Sequence, residues 1–145
     1  MNEKIAVIGS GLIGRAWAIS FARAGYAVEM TDIDPDNLNQ SVQTLKGSLS
    51  DLAKHDLLND QDINTVATRI SPQESVAAAL DGATYVQENT AEVLEIKKQV
   101  YVELDGMAAP ETVIGSSTSG LMASLFTEEL KGRHRCLVAH PINPP

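Results

Sequence analysis

Cysteine is nearly absent from this chain, since Cys136 is the only one among 145 residues. A single thiol excludes an internal disulfide and a cysteine-rich metal site. Its apolar surroundings at 136–139 predict a buried structural thiol rather than a nucleophile. The sequence also lacks an apolar run of about 18 residues and the basic-then-apolar layout of a signal peptide, so we expect a cytoplasmic protein without a membrane span.

Basic residues are scarce as well, with 11 Lys and Arg against 19 Asp and Glu and a formal net charge of −8. This balance disfavours nucleic acid and anionic membranes as partners. The three histidines do not have a metal-binding spacing such as His-Glu-x-x-His, so no metal is expected. The length suits one domain over 1–145 with a core of its own and is too short for two domains of ordinary size.

Glycine, in contrast, is concentrated in one segment near the start of the chain. The apolar run Ile5–Ile8 predicts a strand, and apolar residues at helical spacing from near Leu12 onward predict a helix. Between them the spacing Gly-x-Gly-x-x-Gly is formed by Gly9, Gly11 and Gly14. In this motif the first glycine allows a tight turn, the second lets the backbone approach a pyrophosphate, and the third lets the helix pack on the strand. The segment therefore predicts a dinucleotide-binding turn.

An acidic residue follows at the expected place. Asp32 comes after a second apolar run, 27–30, close to the offset of about 20 residues at which a carboxylate binds the adenine ribose. Such a carboxylate accepts both ribose hydroxyls and repels a 2′-phosphate, which predicts NAD rather than NADP. Asp34 directly precedes Pro35 and is interpreted as a helix N-cap. The alternative is that the glycines only make a turn and Asp32 only ends a strand.

The remainder of the chain is predicted to alternate helices with strands. Helices are expected over 35–53, over 71–80 after a capping box at 71–74, over 93–104 and over 121–130, and strands over 68–70, 84–87, 112–115 and 136–140, with 56–64 as a loop or a broken helix end. This alternation predicts an α/β protein with a Rossmann-type, doubly wound, mostly parallel sheet covered by helices on both faces. Ligands of such sheets bind at the carboxyl ends of the strands.

One histidine lies at such a strand end. His140 follows the last predicted strand, and an imidazole exchanges protons near neutral pH, so His140 is the candidate general base. The alternative is a histidine that merely caps a strand. His55 and His134 lie in polar surroundings and are expected to be solvated.

Four segments together resemble a known family: GSGLIGRAWA at 9–18, AEVLEIKK at 91–98, SSTSGL at 116–121 and VAHPINPP at 138–145. They are similar to the L-3-hydroxyacyl-CoA dehydrogenase family and, within it, to the lambda-crystallin and L-gulonate 3-dehydrogenase branch. The resemblance covers the whole chain but only about half of a family member. It implies that the family's helical C-terminal domain, and a homodimer formed through it, lie outside this sequence.

The resemblance implies roles for individual residues. It assigns the base to His140, a hydrogen bond near the reacting oxygen and the nicotinamide to Ser119, and the neighbouring catalytic position to Asn143. Ser48 on the long helix matches a CoA-contacting position, while residues 89–91 depart from the family's usual Pro-Glu pattern. The implied cofactor contacts are Gly9, Gly11, Leu12, Ile13, Gly14, Asp32, Ile33, Ala91, Glu92, Lys97, Ser119 and Asn143.

The implied activity is hydride transfer between NAD and the secondary 3-hydroxyl of a small molecule, either a 3-hydroxyacyl-CoA or a hydroxy acid such as L-gulonate. In the family, a glutamate shortly after the catalytic histidine orients the imidazole. No residue of the present sequence matches that glutamate. The other reading is therefore a module that binds NAD and performs no chemistry alone.

Overall fold

The computed structural model describes residues 3–142, in which short strands alternate with helices. The strands are β1 (Lys4–Ile8), β2 (Ala27–Thr31), β3 (Ile70–Pro72), β4 (Ala83–Glu88), β5 (Val113–Ser116) and β6 (Cys136–Val138), and the helices are α1 (Leu12–Arg23), α2 (Pro35–Lys54), α3 (Ile63–Ala67), α4 (Val76–Leu80), α5 (Leu94–Met107) and α6 (Ser124–Thr127). All strand pairs are parallel, in the order β3-β2-β1-β4-β5-β6. The predicted Rossmann-type fold is confirmed. Its strand order reverses between β1 and β4, where such sheets bind their ligands.

Two apolar layers cover the faces of the sheet. Because successive side chains of a strand point to opposite faces, Ile5 and Val7 of β1 enter one layer, and Ala6 and Ile8 enter the other. Helices α1 and α2 pack on the first face, and α5 and α6 pack on the second. The central strand is therefore covered on both sides, as its uninterrupted apolar sequence indicates.

Helix α2 begins and packs as its sequence predicts. The Asp34 side chain accepts a hydrogen bond from the backbone N–H of Asp36, and Pro35 is the first helical residue. The stripe that includes Leu45 and Leu49 is buried against the sheet. No helix within residues 3–142 combines the length and the apolar composition needed to cross a membrane.

The capping box predicted at 71–74 is wrong. Ser71 and Pro72 belong to β3, and the cap of α4 is Ser75, whose hydroxyl accepts from the N–H of Ala78 at 3.2 Å. Pairing with β2 overrides the local helix signal, since Ser71 and Pro72 lie in register with Glu29 and Met30. Pro72 fits this place because β3 is an edge strand, where a missing N–H leaves no ladder partner unsatisfied.

Four other boundaries differ from prediction. The loop expected over 56–64 runs into α3, which Asp62 caps by accepting from Thr65 N–H at 2.9 Å, and β3 starts at Ile70 rather than at 68. The helix expected over 121–130 shrinks to the short α6, because residues before it form a loop whose N–H groups bind other side chains. The last strand ends at Val138 rather than at 140, and His140 follows it.

Cys136 is half-buried rather than buried, in β6. Burial raises the pKa of its thiol to about 11. The thiol is therefore neutral at physiological pH, which agrees with the expectation that it is not a nucleophile.

The start of β6 is anchored to α5 by a buried ion pair. The guanidinium of Arg135 lies 2.8 Å from a carboxylate oxygen of Asp105 and also donates to the backbone carbonyls of Asp105, Ala109 and Thr112. The N–H of Gly132 donates to the same carboxylate. Burial acts to raise the pKa of Asp105, but the hydrogen bonds from Arg135 and Gly132 outweigh it and hold that pKa below its ordinary value.

Replacing Arg135 by methionine is expected to lower the free energy of unfolding by about 3–5 kcal/mol, because it leaves the Asp105 carboxylate without its partner. Urea denaturation at pH 7 measures the loss. Lys98→Met is the control, since its pair with Glu95 is exposed and worth less than about 1 kcal/mol. A loss of less than about 1 kcal/mol in the free energy of unfolding for Arg135→Met would contradict a stabilising role of the Arg135–Asp105 pair.

The same anchor predicts a pH dependence. Because the pKa of Asp105 is lowered by folding, its contribution is complete above its unfolded value of 3.8 and is lost as the pH falls below it. The difference in the free energy of unfolding between the wild type and Arg135→Met should therefore become smaller as the pH falls below 3.8 in urea denaturation, and the part due to the backbone carbonyls that Arg135 binds should remain.

Candidate cofactor and catalytic site

The glycine turn after β1 is built so that two of its three glycines are required by the backbone. Gly9 has φ +90°, and a Cβ on it would lie 2.7 Å from the carbonyl oxygen of Asn89. A Cβ on Gly14 would lie 1.9 Å from the carbonyl oxygen of Gly9. Gly11 differs, because its φ of −60° is ordinary and a Cβ there would meet no atom within 4 Å. The open space at Gly11 is where a ligand can approach the backbone.

Helix α1 starts directly beyond this open space. It begins at Leu12, and no side chain among residues 3–142 caps its first turn. The N–H groups of a first helical turn have no partner within the helix, and they coincide with the positive end of the helix dipole. This arrangement fits a pyrophosphate.

Asp32 lies beside the glycine turn, at the end of β2. One carboxylate oxygen accepts from the backbone N–H and the hydroxyl of Ser10, at 2.7 and 2.8 Å, and the other accepts from Asp34 N–H at 3.0 Å. A carboxylate has about four acceptor positions, so one remains for a ligand hydroxyl. Ser10 holds this acid in place. The sequence analysis missed Ser10 because it treated the residues between the glycines as spacers.

A groove of about 670 Å³ connects these features to α5. Predicted cofactor residues line it, namely Gly9, Gly11, Asp32, Ile33 and Ala91. Its other walls, which the sequence analysis did not assign, include Ser75, Val76, Ile96, Val100 and Glu103. The spacing of Ile96 and Val100 on α5 was a usable signal, because one helix face carries both. A mostly apolar groove with the Asp32 carboxylate beside an uncapped helix start fits a dinucleotide.

Ser48 lies in a separate groove. This groove has a volume of about 340 Å³ between α1 and α2, and Arg15, Arg23 and His55 also line it. The two grooves share no lining residue, and Leu12 is the predicted cofactor residue that lines this second groove instead of the first. A role for Ser48 in CoA binding stays a prediction.

A buried ion pair stands at the end of β4. The carboxylate of Glu88 is fully buried and accepts from Lys97 Nζ at 2.9 Å, from Thr90 N–H and hydroxyl at 2.6 Å, and from Ser116 hydroxyl at 2.5 Å. Lys97 is 1% exposed. The sequence analysis placed Lys97 near the cofactor but did not assign Glu88. The available sequence signal for Glu88 was its position at the end of a strand, followed by a lysine on the next helix.

Glu92 extends this ion pair to the loop after β5. Its carboxylate accepts from the Thr118 hydroxyl at 2.5 Å and from the N–H groups of Ser119 and Gly120 at 2.9 and 3.0 Å. Lys97 Nζ lies 3.6 Å away. Burial acts to raise the pKa of Glu92, but these hydrogen bonds and the Lys97 charge outweigh it and lower that pKa. Glu92 is therefore an anion that fixes the position of Ser119.

Ser119 and His140 meet at the carboxyl ends of β5 and β6. The Ser119 hydroxyl oxygen lies 2.9 Å from His140 Nε2, and both side chains are exposed. Asn143 lies outside the described residues. His55 and His134 are exposed, as predicted, and residues 3–142 contain no cluster of three or more His, Cys, Asp or Glu side chains that could hold a metal ion. An imidazole paired with a hydroxyl at this edge can exchange a proton with a substrate alcohol.

Comparison with known proteins agrees with this geometry. The family model "3-hydroxyacyl-CoA dehydrogenase, NAD binding domain" matches residues 4–145. A lambda-crystallin homolog of Bos taurus is 37% identical over 97% of the chain and 44% of its own length, and an L-carnitine dehydrogenase of Bacillus cereus is 32% identical over 98% and 42%. The crystal structure of 3-hydroxybutyryl-CoA dehydrogenase from Escherichia coli K12 superimposes with a TM-score of 0.90 at 27% identity, over 99% of this chain and 30% of that one. The chain thus spans less than half the length of these relatives.

The glycine turn generates a test that separates folding from binding. Gly11→Ala is expected to fold normally but to weaken NADH binding by about tenfold or more, because its methyl group fills the space beside the start of α1.

Gly14→Ala is expected to lose about 1–3 kcal/mol of stability through overlap with the Gly9 carbonyl. Fluorescence titration and urea denaturation measure the two effects.

The matched control is Gly47→Ala on α2. A Cβ at Gly47 meets no atom within 4 Å, so this variant should bind NADH normally and gain about 0.5–1 kcal/mol in stability. Unchanged NADH affinity in folded Gly11→Ala would show that the cofactor does not bind at the turn.

Proposed function

Because the chain belongs to the 3-hydroxyacyl-CoA dehydrogenase family and forms its NAD-binding domain, we propose that it provides the cofactor site and the general base of an enzyme that oxidises a secondary 3-hydroxyl group. The observation that carries this proposal is the 2.9 Å contact between Ser119 and His140 Nε2. It brings a base and a hydroxyl group together at the strand ends, beside a groove that fits NAD.

The side chains act on a proton. With Nε2 unprotonated, His140 accepts a hydrogen bond from the Ser119 hydroxyl, and a substrate hydroxyl that enters the same position can transfer its proton to Nε2. The Ser119 hydroxyl also has acceptor capacity, so it can orient the substrate oxygen. When bound, NAD supplies the hydride acceptor. In the reverse direction His140 returns the proton to the carbonyl oxygen.

Other residues bind and orient the cofactor. Gly11 and the start of α1 receive the pyrophosphate, and Asp32 receives the adenine ribose. Glu92 contributes by holding Ser119 in place, and Lys97 contributes through Glu92, to which its buried ammonium group is paired.

The first candidate substrate is a 3-hydroxyacyl-CoA. Its support is the family and the neighbouring structure named 3-hydroxybutyryl-CoA dehydrogenase. The groove at Ser48, with two arginines in its wall, would then receive part of the CoA.

The second candidate is a free hydroxy acid such as L-gulonate. It is favoured by the relatives, since a lambda-crystallin homolog and an L-carnitine dehydrogenase match almost the whole chain. L-Carnitine is itself a small hydroxy acid. A domain that binds NAD without turnover on its own is the third candidate, favoured by the exposure of Ser119 and His140.

Cofactor preference tests the role of Asp32. NADH should bind more tightly than NADPH, because the carboxylate repels a 2′-phosphate. Asp32→Asn should reduce the NADH-to-NADPH affinity ratio by about tenfold or more. Titration of both cofactors measures the ratio. Asp36→Asn, an exposed acid on α2, is the control and should leave the ratio unchanged. Equal affinities in the wild type would refute the assignment.

Turnover tests the role of His140. Oxidation of NADH is followed with acetoacetyl-CoA in one reaction and a 3-keto sugar acid in another. His140→Gln should lower the rate by about 10²–10⁴-fold while NADH affinity stays within about twofold. His134→Gln, at an exposed position, is the control.

The substrate that turns over identifies the candidate. If neither substrate causes NADH oxidation in a sample that binds NADH, the result supports the third candidate. Wild-type turnover in His140→Gln would contradict the base assignment.

A further inference from the structure

A polar cluster lies next to the strand ends that carry Ser119 and His140, and the proposed mechanism uses none of its side chains. Its members come from α1, from β4 and the residue after it, and from the loop after β5. We call them the Ser117 cluster: Trp17, Tyr85, Gln87, Asn89 and Ser117.

The hydroxyl of Ser117 is the centre of this cluster. It accepts from Trp17 Nε1 at 2.9 Å and from Gln87 Nε2 at 2.7 Å, and it donates to Asn89 Oδ1 at 2.7 Å. A serine hydroxyl has one donor and two acceptor positions, so all three are used. An indole N–H can only donate, so Trp17 occupies one of the two acceptor positions of the Ser117 hydroxyl.

The Gln87 side chain connects Ser117 to Ala139, the residue before His140. Its side chain is fully buried, and its carbonyl accepts from the Tyr85 hydroxyl at 2.7 Å. Its amide group donates one hydrogen to Ser117 and the other to the backbone carbonyl of Ala139, at 3.3 Å. Both amide hydrogens are therefore used, and a flipped amide would place its oxygen against the Ala139 carbonyl oxygen, which cannot donate.

The surrounding backbone leaves room for this arrangement. A Cβ on Gly115 would lie 2.1 Å from the Tyr85 hydroxyl, so only glycine permits the tyrosine to reach Gln87. Burial raises the pKa of Tyr85, which keeps its hydroxyl a donor. Phe21 packs edge-on against Tyr85 at 5.9 Å and stacks on Trp17 at 5.1 Å, so it supports both outer donors of the cluster.

We propose that Ser117 is a positioning residue for His140: it fixes the Gln87 amide, which holds the carbonyl of Ala139 and so directs the next residue toward Ser119. Through Trp17 the same hydroxyl ties the histidine to α1, the helix that receives the cofactor. This inference rests on the proposed function, because it takes His140 to be the base.

The chain contains the probes for a direct test. Trp17 is the only tryptophan, so its indole N–H gives one NMR signal, and three histidines give three sets of imidazole signals. The His140 set is identified by its loss in His140→Gln. Ser117→Ala should move the indole signal upfield, because the donor loses its acceptor. It should also move the His140 imidazole signals by several-fold more than those of His55 and His134.

Two further variants complete the experiment. Ser50→Ala is the matched control, since this α2 hydroxyl bonds only to the Lys46 carbonyl of its own helix, and it should move neither signal. Trp17→Phe removes one donor and keeps an aromatic ring against Phe21. It provides a second reading of the His140 signals if Ser117→Ala does not fold.

One result overturns the proposal: a folded Ser117→Ala, or Trp17→Phe in its place, whose His140 signals move no more than those of the other two histidines. A merely structural serine would give that result together with a lower melting temperature. Failure of the proposed function is a separate observation, namely a wild-type chain that does not bind NADH. The Ser117-to-His140 coupling does not depend on that binding.

Discussion

The arrangement of the strand ends near Ser119 and His140 depends on the buried ion pair between Glu88 and Lys97. Glu88 ends the central strand β4 and bonds to Lys97 of the helix that follows, to Ser116 at the end of β5 and to Thr90 in the turn between β4 and α5. Neither charge reaches solvent. Loss of one partner from such a pair costs about 3–5 kcal/mol, because the other charge stays buried without compensation. The pair therefore locks three elements into one arrangement.

Gln87 and Glu88, at the end of β4, begin two hydrogen-bond networks on opposite faces of the sheet. Adjacent residues of a strand point to opposite faces, and both of these polar side chains are fully buried. Glu88 begins the network that reaches Ser119 through Lys97 and Glu92, and Gln87 begins the one that reaches Ala139. The serine and the histidine are thus positioned from opposite sides of the sheet by neighbouring residues.

The sequence was sufficient for the parts of the molecule that local rules determine. The glycine turn, Asp32 and the cap at Asp34 all follow from short-range spacing, and the parallel sheet follows from alternation. The false capping box at 71–74 failed because an edge-strand pairing, invisible locally, outweighed it. The Ser117 cluster could not be found by spacing, since Trp17 and Ser117 are 100 residues apart in the chain. Buried polar residues in a strand end look like ordinary solvated ones until their partners are known.

The structure also separates cofactor binding from chemistry. The groove that fits NAD is lined by residues between β1 and α5, all of which belong to this domain. Ser119 and His140, in contrast, are exposed at the edge of the sheet. Proton and hydride transfer are favoured where water is excluded, because charges then interact more strongly and competing proton exchange is suppressed. Under the proposed function, exclusion of water from His140 would therefore raise the rate of turnover. We infer that affinity for NAD resides in this groove, whereas the rate of the proposed reaction depends on the exclusion of water from His140.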